Sequence, residues 1–261
     1  MILGFNLLGL LLLFFPPLFY AWLIYIIAPH KSLSLKNSIK FIIGGIFSVV
    51  ILDFILFLTP YWDSAYTYNS FLQQFFITAP KEEISKFFMF LIIYKGLDDK
   101  SQKHPITCML YLGMLGLGFS LIENINYISK FGFEVLQYRT FGAVFVHMIC
   151  GLLLGYWIGV SKIKKLKLKV KSTASIYLSS RPKLKSLLYI SMGLITSICF
   201  HALWNYNILT FVHYSTPIAV LMLMVGFLTC KFLFKDLVNQ YDKSKKINPL
   251  SSRVDTDLDK N

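Results

Sequence analysis

The sequence predicts an all-helical membrane protein, with about seven transmembrane helices packed in a bundle. Of its 261 residues, 56% are hydrophobic, and the mean hydropathy is +0.60. Charged residues make up 15% of the chain, against about 25% in an average soluble protein, and they fall in blocks between long apolar runs. This profile is typical of polytopic helical proteins that cross the lipid bilayer.

Seven segments have the roughly 20 apolar residues that a spanning helix needs. They are residues 3–27, 41–59, 71–94, 105–128, 141–160, 187–209 and 217–234. We expect the first to be a transmembrane helix kinked at Pro16 and Pro17, because proline removes a backbone hydrogen bond. Prolines, glycines and charges mark the connections, including a lysine-rich fifth loop over 161–186.

Basic residues predict how the chain is oriented. The loops after the first, third and fifth segments are rich in lysine, as is the C-terminal region, whereas the other side carries only Lys130 and Arg139. The positive-inside rule then places the N-terminus outside the cell and the C-terminus in the cytoplasm. The net charge of +13 reflects these loops, so we expect no nucleic-acid partner. We assign 1–235 to a transmembrane domain and 236–261 to a polar cytoplasmic tail.

Two adjacent carboxylates, Glu82 and Glu83, interrupt the third segment. An ionisable side chain at membrane depth is costly, and therefore indicates a functional site. Lys86 follows at a spacing that lets it pair with either glutamate on a helix. One lysine leaves a surplus negative charge, which favours chemistry over a neutral packing pair. Pro80 favours a helix start just before the glutamates.

Polar residues of other segments lie at a similar depth. Counted inward from the predicted outer surface at 1.5 Å per residue, all of them fall roughly 6 to 18 Å below it. These residues are Glu123, His147, His201 and Asn205. His201 and Asn205 share a helical face, and glycines follow His147 at four-residue intervals, which turns His147 toward the bundle. Structural roles stay open for each one singly, but one layer supplies the groups that hydrolysis needs.

Four stretches, in order along the chain, resemble the PrsW branch of a superfamily of intramembrane proteases. The superfamily also includes the CAAX-prenyl endopeptidases and the APH-1 subunit of γ-secretase. The stretches are Glu82–Lys86, Gly118–Asn124, Arg139–His147 with Gly151, and His201–Asn205. Lys86 and Glu123 stand where CAAX-type enzymes typically have arginine and histidine, which favours the PrsW branch and argues against prenylated substrates. The resemblance implies cleavage of a membrane-anchored protein near the outer membrane face, and an anti-sigma factor is the substrate class of PrsW proteins.

Two mechanisms are compatible with these residues. In the first, His147, His201 and Glu123 bind a metal ion such as Zn²⁺, and Glu82 or Glu83 is the base. In the second, a glutamate activates water without a metal, a histidine shuttles the proton, and His201 with Asn205 donates to the oxyanion. No local signature fixes the metal, because the ligands come from different helices. The family resemblance implies a metalloprotease and favours the first mechanism.

Two other classes of protein stay open at this point. An ion-coupled transporter would also place carboxylates and histidines inside a bundle, but it would more often show an inverted repeat and a site at the midplane. Neither feature is evident in the sequence. A non-catalytic scaffold, in the manner of APH-1, would be expected to lose one glutamate of the pair, and both are present.

Overall fold

The structure is a computed structural model, and it describes residues 7–28, 33–59, 70–97, 104–139, 142–174, 182–210 and 215–247. Every regular element in these ranges is helical, which confirms the predicted fold class. Seven long helices follow the seven predicted segments in order. They are α1 Leu7–Ile27, α2 Leu35–Leu58, α3 Ala79–Lys95, α4 Pro105–Phe131, α5 Gly142–Ala174, α6 Pro182–Thr210 and α7 Ser215–Ile247. All except α3 are long and apolar enough to cross a membrane.

The third predicted segment, 71–94, is helical but irregular in its first part. A short helix, Phe71–Gln73, leads into a π-helical turn, Gln74–Thr78, and α3 follows directly. Pro80, in the first turn of α3, has no N–H and its ring crowds the preceding turn. The wider turn accommodates it, with the N–H of Ala79 donating to the carbonyl of Gln74, five residues back. Pro80 therefore marks the start of α3, as predicted, without separating the preceding piece.

Helix α5 is longer than predicted. It continues to Ala174 through the lysine-rich stretch, so the prediction of a connecting loop is wrong for residues 161–174. Lysine and leucine are good helix formers, and no glycine or proline interrupts this stretch.

Helix α7 crosses the predicted start of the tail. It runs unbroken from Ser215 to Ile247, and Leu237 is completely buried. Asp236 accepts hydrogen bonds from the Tyr156 hydroxyl at 2.7 Å and from the Gln240 amide at 2.6 Å. The helix is thus fixed to α5 beyond residue 235, and the domain boundary stays a prediction. Residues 248–261 lie outside the described ranges.

Helix α4 lies at the centre of the bundle, with residues 105–120 buried, and its most extensive interface is with α5. A Cβ atom added to Gly116 of α4 would collide with the backbone carbonyl of His147. One added to Gly151 of α5 would collide with that of Leu112. The glycines therefore let the two backbones touch, as the spacing after His147 predicted. This contact brings His147 into the core, where it is 2% exposed.

Candidate active site

Glu83 is the most enclosed carboxylate of the predicted site. Its Oε1 accepts hydrogen bonds from Lys86 Nζ at 2.5 Å and, with that nitrogen protonated, from His201 Nδ1 at 2.7 Å. Its Oε2 accepts a hydrogen bond from the Ser197 hydroxyl at 2.8 Å. Three donors therefore occupy both oxygens of a side chain that is 1% exposed.

Lys86 continues the contacts from α3 to α5. Its Nζ lies 3.0 Å from His147 Nδ1, and His147 Nε2 lies 2.7 Å from Glu123 Oε2. A protonated lysine can only donate, so Nδ1 accepts and Nε2 carries the proton that is donated to Glu123. Two opposing partners thus fix the tautomer of His147.

Arg139 closes this set of contacts at the Glu123 end. It terminates the short helix Leu136–Arg139, and its Nη2 donates to Glu123 Oε2 at 2.6 Å. Its Nε donates to Asn124 Oδ1 at 3.0 Å, and the guanidinium carbon lies 3.6 Å from the centroid of the Tyr127 ring. Arginine suits this position because one planar group can bond two acceptors and stack on a ring. We call the continuous set of contacts the buried network; it consists of Arg139, Glu123, His147, Lys86, Glu83 and His201.

Glu82 lies beside the buried network, and its Oε2 is buried without a hydrogen-bond partner among the residues that the structure describes. This oxygen lies 3.6 Å from His201 Nε2, which is too long for a hydrogen bond. Because His201 Nδ1 donates to Glu83, its Nε2 lone pair is directed away from Glu83 and toward Glu82. The rings of His201 and His147 meet edge to face, with centroids 4.9 Å apart. A carboxylate oxygen and an imidazole lone pair therefore face each other across a gap.

The residues around this gap fit a metal ion. Glu82, His147 and His201 each offer one ligand atom, and these atoms lie within 4.8 Å of one another. Tetrahedral zinc with bonds of about 2.1 Å would hold its ligand atoms about 3.4 Å apart, close to the 3.6 Å between Glu82 Oε2 and His201 Nε2. Two imidazoles and one carboxylate form a known catalytic zinc set. Glu83 supplies the carboxylate that commonly fixes the other nitrogen of a metal-binding histidine.

The carboxylate in this set differs from the predicted one. Sequence reasoning grouped Glu123 with His147 and His201, but the structure places Glu123 against Arg139, and among the described residues it belongs to no group of three converging ligands. Asn205 is partly exposed on the turn after His201, and it makes no hydrogen bond to the buried network in the described ranges. The roles of all these residues stay predictions.

Ser197 and Cys150 are site neighbours that sequence reasoning did not single out. Ser197 lies four residues before His201 on α6, the same spacing that linked His201 with Asn205. Helical spacing could therefore have predicted that Ser197 shares a face with His201. Cys150 is buried beside Glu83 and His201, which form a second group of converging ligand atoms with it. Since Glu83 is already held by three donors, the set containing Glu82 fits a metal better.

The helical bundle encloses three carboxylates and two imidazoles, which are groups that an intramembrane hydrolase needs. The comparisons with known proteins agree: the family model described as PrsW family intramembrane metalloprotease matches residues 35–230. The match covers most of the chain, including every residue of the site, so the chain belongs to the PrsW family of intramembrane metalloproteases. This membership implies a bound metal.

A curated relative supports the assignment. Protease PrsW of Oceanobacillus iheyensis is 34% identical over 110 residues, which are 41% of this chain and 50% of that protein. The chain thus spans about half the length of this relative. The comparison with solved structures found no match.

Proposed function

We propose that this protein is a zinc-dependent intramembrane endopeptidase that cleaves a membrane-anchored protein near the extracytoplasmic face. The observation that carries the proposal is the gap between Glu82 Oε2 and His201 Nε2. Both atoms are buried, they are 3.6 Å apart, and no hydrogen bond joins them. A buried carboxylate oxygen without a partner is costly, and an ion between the two atoms would satisfy both.

Glu82, His147 and His201 would hold the ion, which when bound supplies the Lewis acidity that activates a water molecule and stabilises the oxyanion. Glu83 keeps His201 in the tautomer that presents Nε2 to this position. His147 would contribute Nδ1, the nitrogen that carries the lone pair, by giving up the hydrogen bond from Lys86, and its Nε2 would keep the one to Glu123. Side chains on neighbouring helices, two carboxylates and a lysine, therefore position both imidazoles.

Glu123 is the carboxylate left to accept the proton of the attacking water. Its Oε2 is held by Arg139 and His147, whereas its Oε1 makes no hydrogen bond to any described residue. Its side chain, at 19%, is also the most exposed of the three carboxylates. In this role Glu123 Oε1 would take the proton from water and return it to the leaving amine.

The location of the site supports the proposed class of substrate. His147 lies in the second turn of α5, and Lys162 lies fifteen residues, or about 22 Å, further toward the basic end of that helix. With the basic end in the cytoplasm, the C-terminus is cytoplasmic, the N-terminus is outside, and the site lies in the outer half of the bilayer. A single-span protein with an extracytoplasmic domain suits this depth, and the PrsW resemblance favours an anti-sigma factor.

The test measures zinc content and proteolysis on the same preparations. The full chain and three variants, Glu82→Gln, His201→Ala and Glu123→Gln, are purified in detergent, with Glu134→Gln, an exposed glutamate, as the matched control. We expect about one zinc per chain in the unaltered protein and the control. The Glu82→Gln and His201→Ala variants should retain less than about a tenth of that zinc content.

Cleavage is followed with a co-expressed single-span reporter that carries an extracytoplasmic domain. Glu123→Gln should keep its zinc and lose at least about 100-fold in cleavage rate, the low end for general-base catalysis. Normal cleavage by folded Glu82→Gln protein would remove the proposed metal site. Normal cleavage by Glu123→Gln protein would remove the proposed base.

A further inference from the structure

A groove lies between α2 and α3, outside the residues of the buried network. Its cavity volume is about 550 Å³, and apart from Lys40 every described residue that lines it is apolar. Phe47, Val50 and Ile92, which line it, are more than half exposed, so the groove opens on the surface that faces lipid. Nothing in the proposed reaction uses this groove.

The length of the groove matches one leaflet of a bilayer. Along α2 it extends from Lys40 to Ile51, eleven residues or about 16 Å. Half of a hydrocarbon core of about 30 Å is about 15 Å. Lys40 lies near the beginning of α2, at the end of the helix that the basic loops place in the cytoplasm. The single cation of the groove thus lies where phospholipid headgroups lie.

The lining of the groove suits a phospholipid. A cation at one end and apolar side chains beyond it match a charged headgroup and an acyl chain. We propose that the groove is a binding site for one anionic phospholipid, with an acyl chain along Phe47 and Val50 and the phosphate at Lys40.

The first experiment tests the headgroup contact by native mass spectrometry of the full chain in detergent. The protein is titrated with phosphatidylglycerol and, separately, with phosphatidylcholine that has the same acyl chains. Lys40→Gln should weaken phosphatidylglycerol binding about fivefold, since a basic residue near a membrane surface contributes about that factor. Lys36→Gln is the matched control, an exposed lysine one turn earlier on α2 that does not line the groove. Equal binding of the two lipids, or equal effects of the two substitutions, overturns the headgroup assignment.

The second experiment fills the groove. Val50→Trp should reduce phosphatidylglycerol binding at least tenfold, whereas Phe57→Trp, on the exposed surface of the same helix outside the groove, should not change it. Unchanged lipid binding by Val50→Trp overturns the proposal. If Val50→Trp protein keeps its lipid binding but no longer cleaves the reporter, the groove binds the substrate helix and not a lipid. Because the primary measurement is lipid binding, its outcome is independent of the proposed proteolysis.

Discussion

Lys86 is the cation at the centre of the buried network, and replacing it with methionine tests whether charge pairing holds the site together. Its Nζ lies 2.5 Å from Glu83 Oε1, 3.0 Å from His147 Nδ1 and 4.4 Å from the centroid of the Phe119 ring. The side chain is 2% exposed. Methionine keeps an unbranched apolar stem and removes the charge. It therefore leaves Glu83 buried without its cation.

The expected cost follows from this geometry. Removing one partner of a buried ion pair destabilises a protein by about 3–5 kcal/mol. Glu83 would keep its hydrogen bonds from His201 and Ser197, so we expect the lower value, about 3 kcal/mol. In a protein of this size that corresponds to a fall in Tm of roughly 6–12 °C. Adding Glu83→Gln removes the uncompensated charge, so the double variant should be more stable than the sum of the single effects by about 2 kcal/mol.

The assay is thermal unfolding in one detergent of the unaltered protein, the two single variants and the double variant. Lys95→Met, at the exposed end of α3, is the matched control for loss of a lysine. Two results would refute the reasoning. One is a Lys86→Met shift no larger than the control shift; the other is a double variant whose effect equals the sum of the singles within about 0.5 kcal/mol.

Three further predictions follow from other contacts. Arg139→Gln should lower the cleavage rate at least tenfold at unchanged zinc content, because Glu123 loses its charged partner. Arg139→Lys should be impaired as well, since lysine cannot bond two acceptors with one planar group. Full activity in either variant contradicts a positioning role for Arg139. Gly151→Val should leave little monodisperse protein on gel filtration, because any Cβ there strikes the α4 backbone; a normal yield argues against the close packing. Tyr156→Phe should lower Tm by about 2–4 °C through loss of its bond to Asp236, and an unchanged Tm means that this bond does not anchor α7.

The fold could be predicted from the sequence because its main determinant is local. Twenty apolar residues in a row predict a spanning helix without reference to the rest of the chain. The glycines at four-residue intervals after His147 predicted a close helix interface, because this spacing is also a local feature of the sequence. The prediction ended the helix where the lysine-rich stretch of α5 begins, because that stretch is too polar to span a membrane. A polar, charged segment can still continue a helix, and this one does.

The sequence predicted most of the polar residues that the structure brings together, but not the hydrogen bonds among them. Successive residues on a helix point about 100° apart, so Glu82 and Glu83 approach their neighbours from different directions. The sequence does not say which one bonds the histidine of α6, because that depends on how α3 is rotated in the bundle. In the structure Glu83 bonds both His201 and Ser197, and Glu82 is left at the gap. The same rotation brings Lys86 between Glu83 and His147. Helical spacing predicted Lys86 only as a partner of the glutamates.

The charges of the site favour different roles for the two adjacent glutamates. Lys86 holds Glu83, and Arg139 holds Glu123, so each of these carboxylates has a cation of its own. Glu82 has neither a cation nor a hydrogen bond at Oε2 among the described residues, and it carries the surplus negative charge of the cluster. A divalent ion at Glu82 would change the net charge from −1 to +1, which suits a position where an oxyanion develops. In the proposed mechanism, Glu83 would orient His201 and Glu82 would hold the ion.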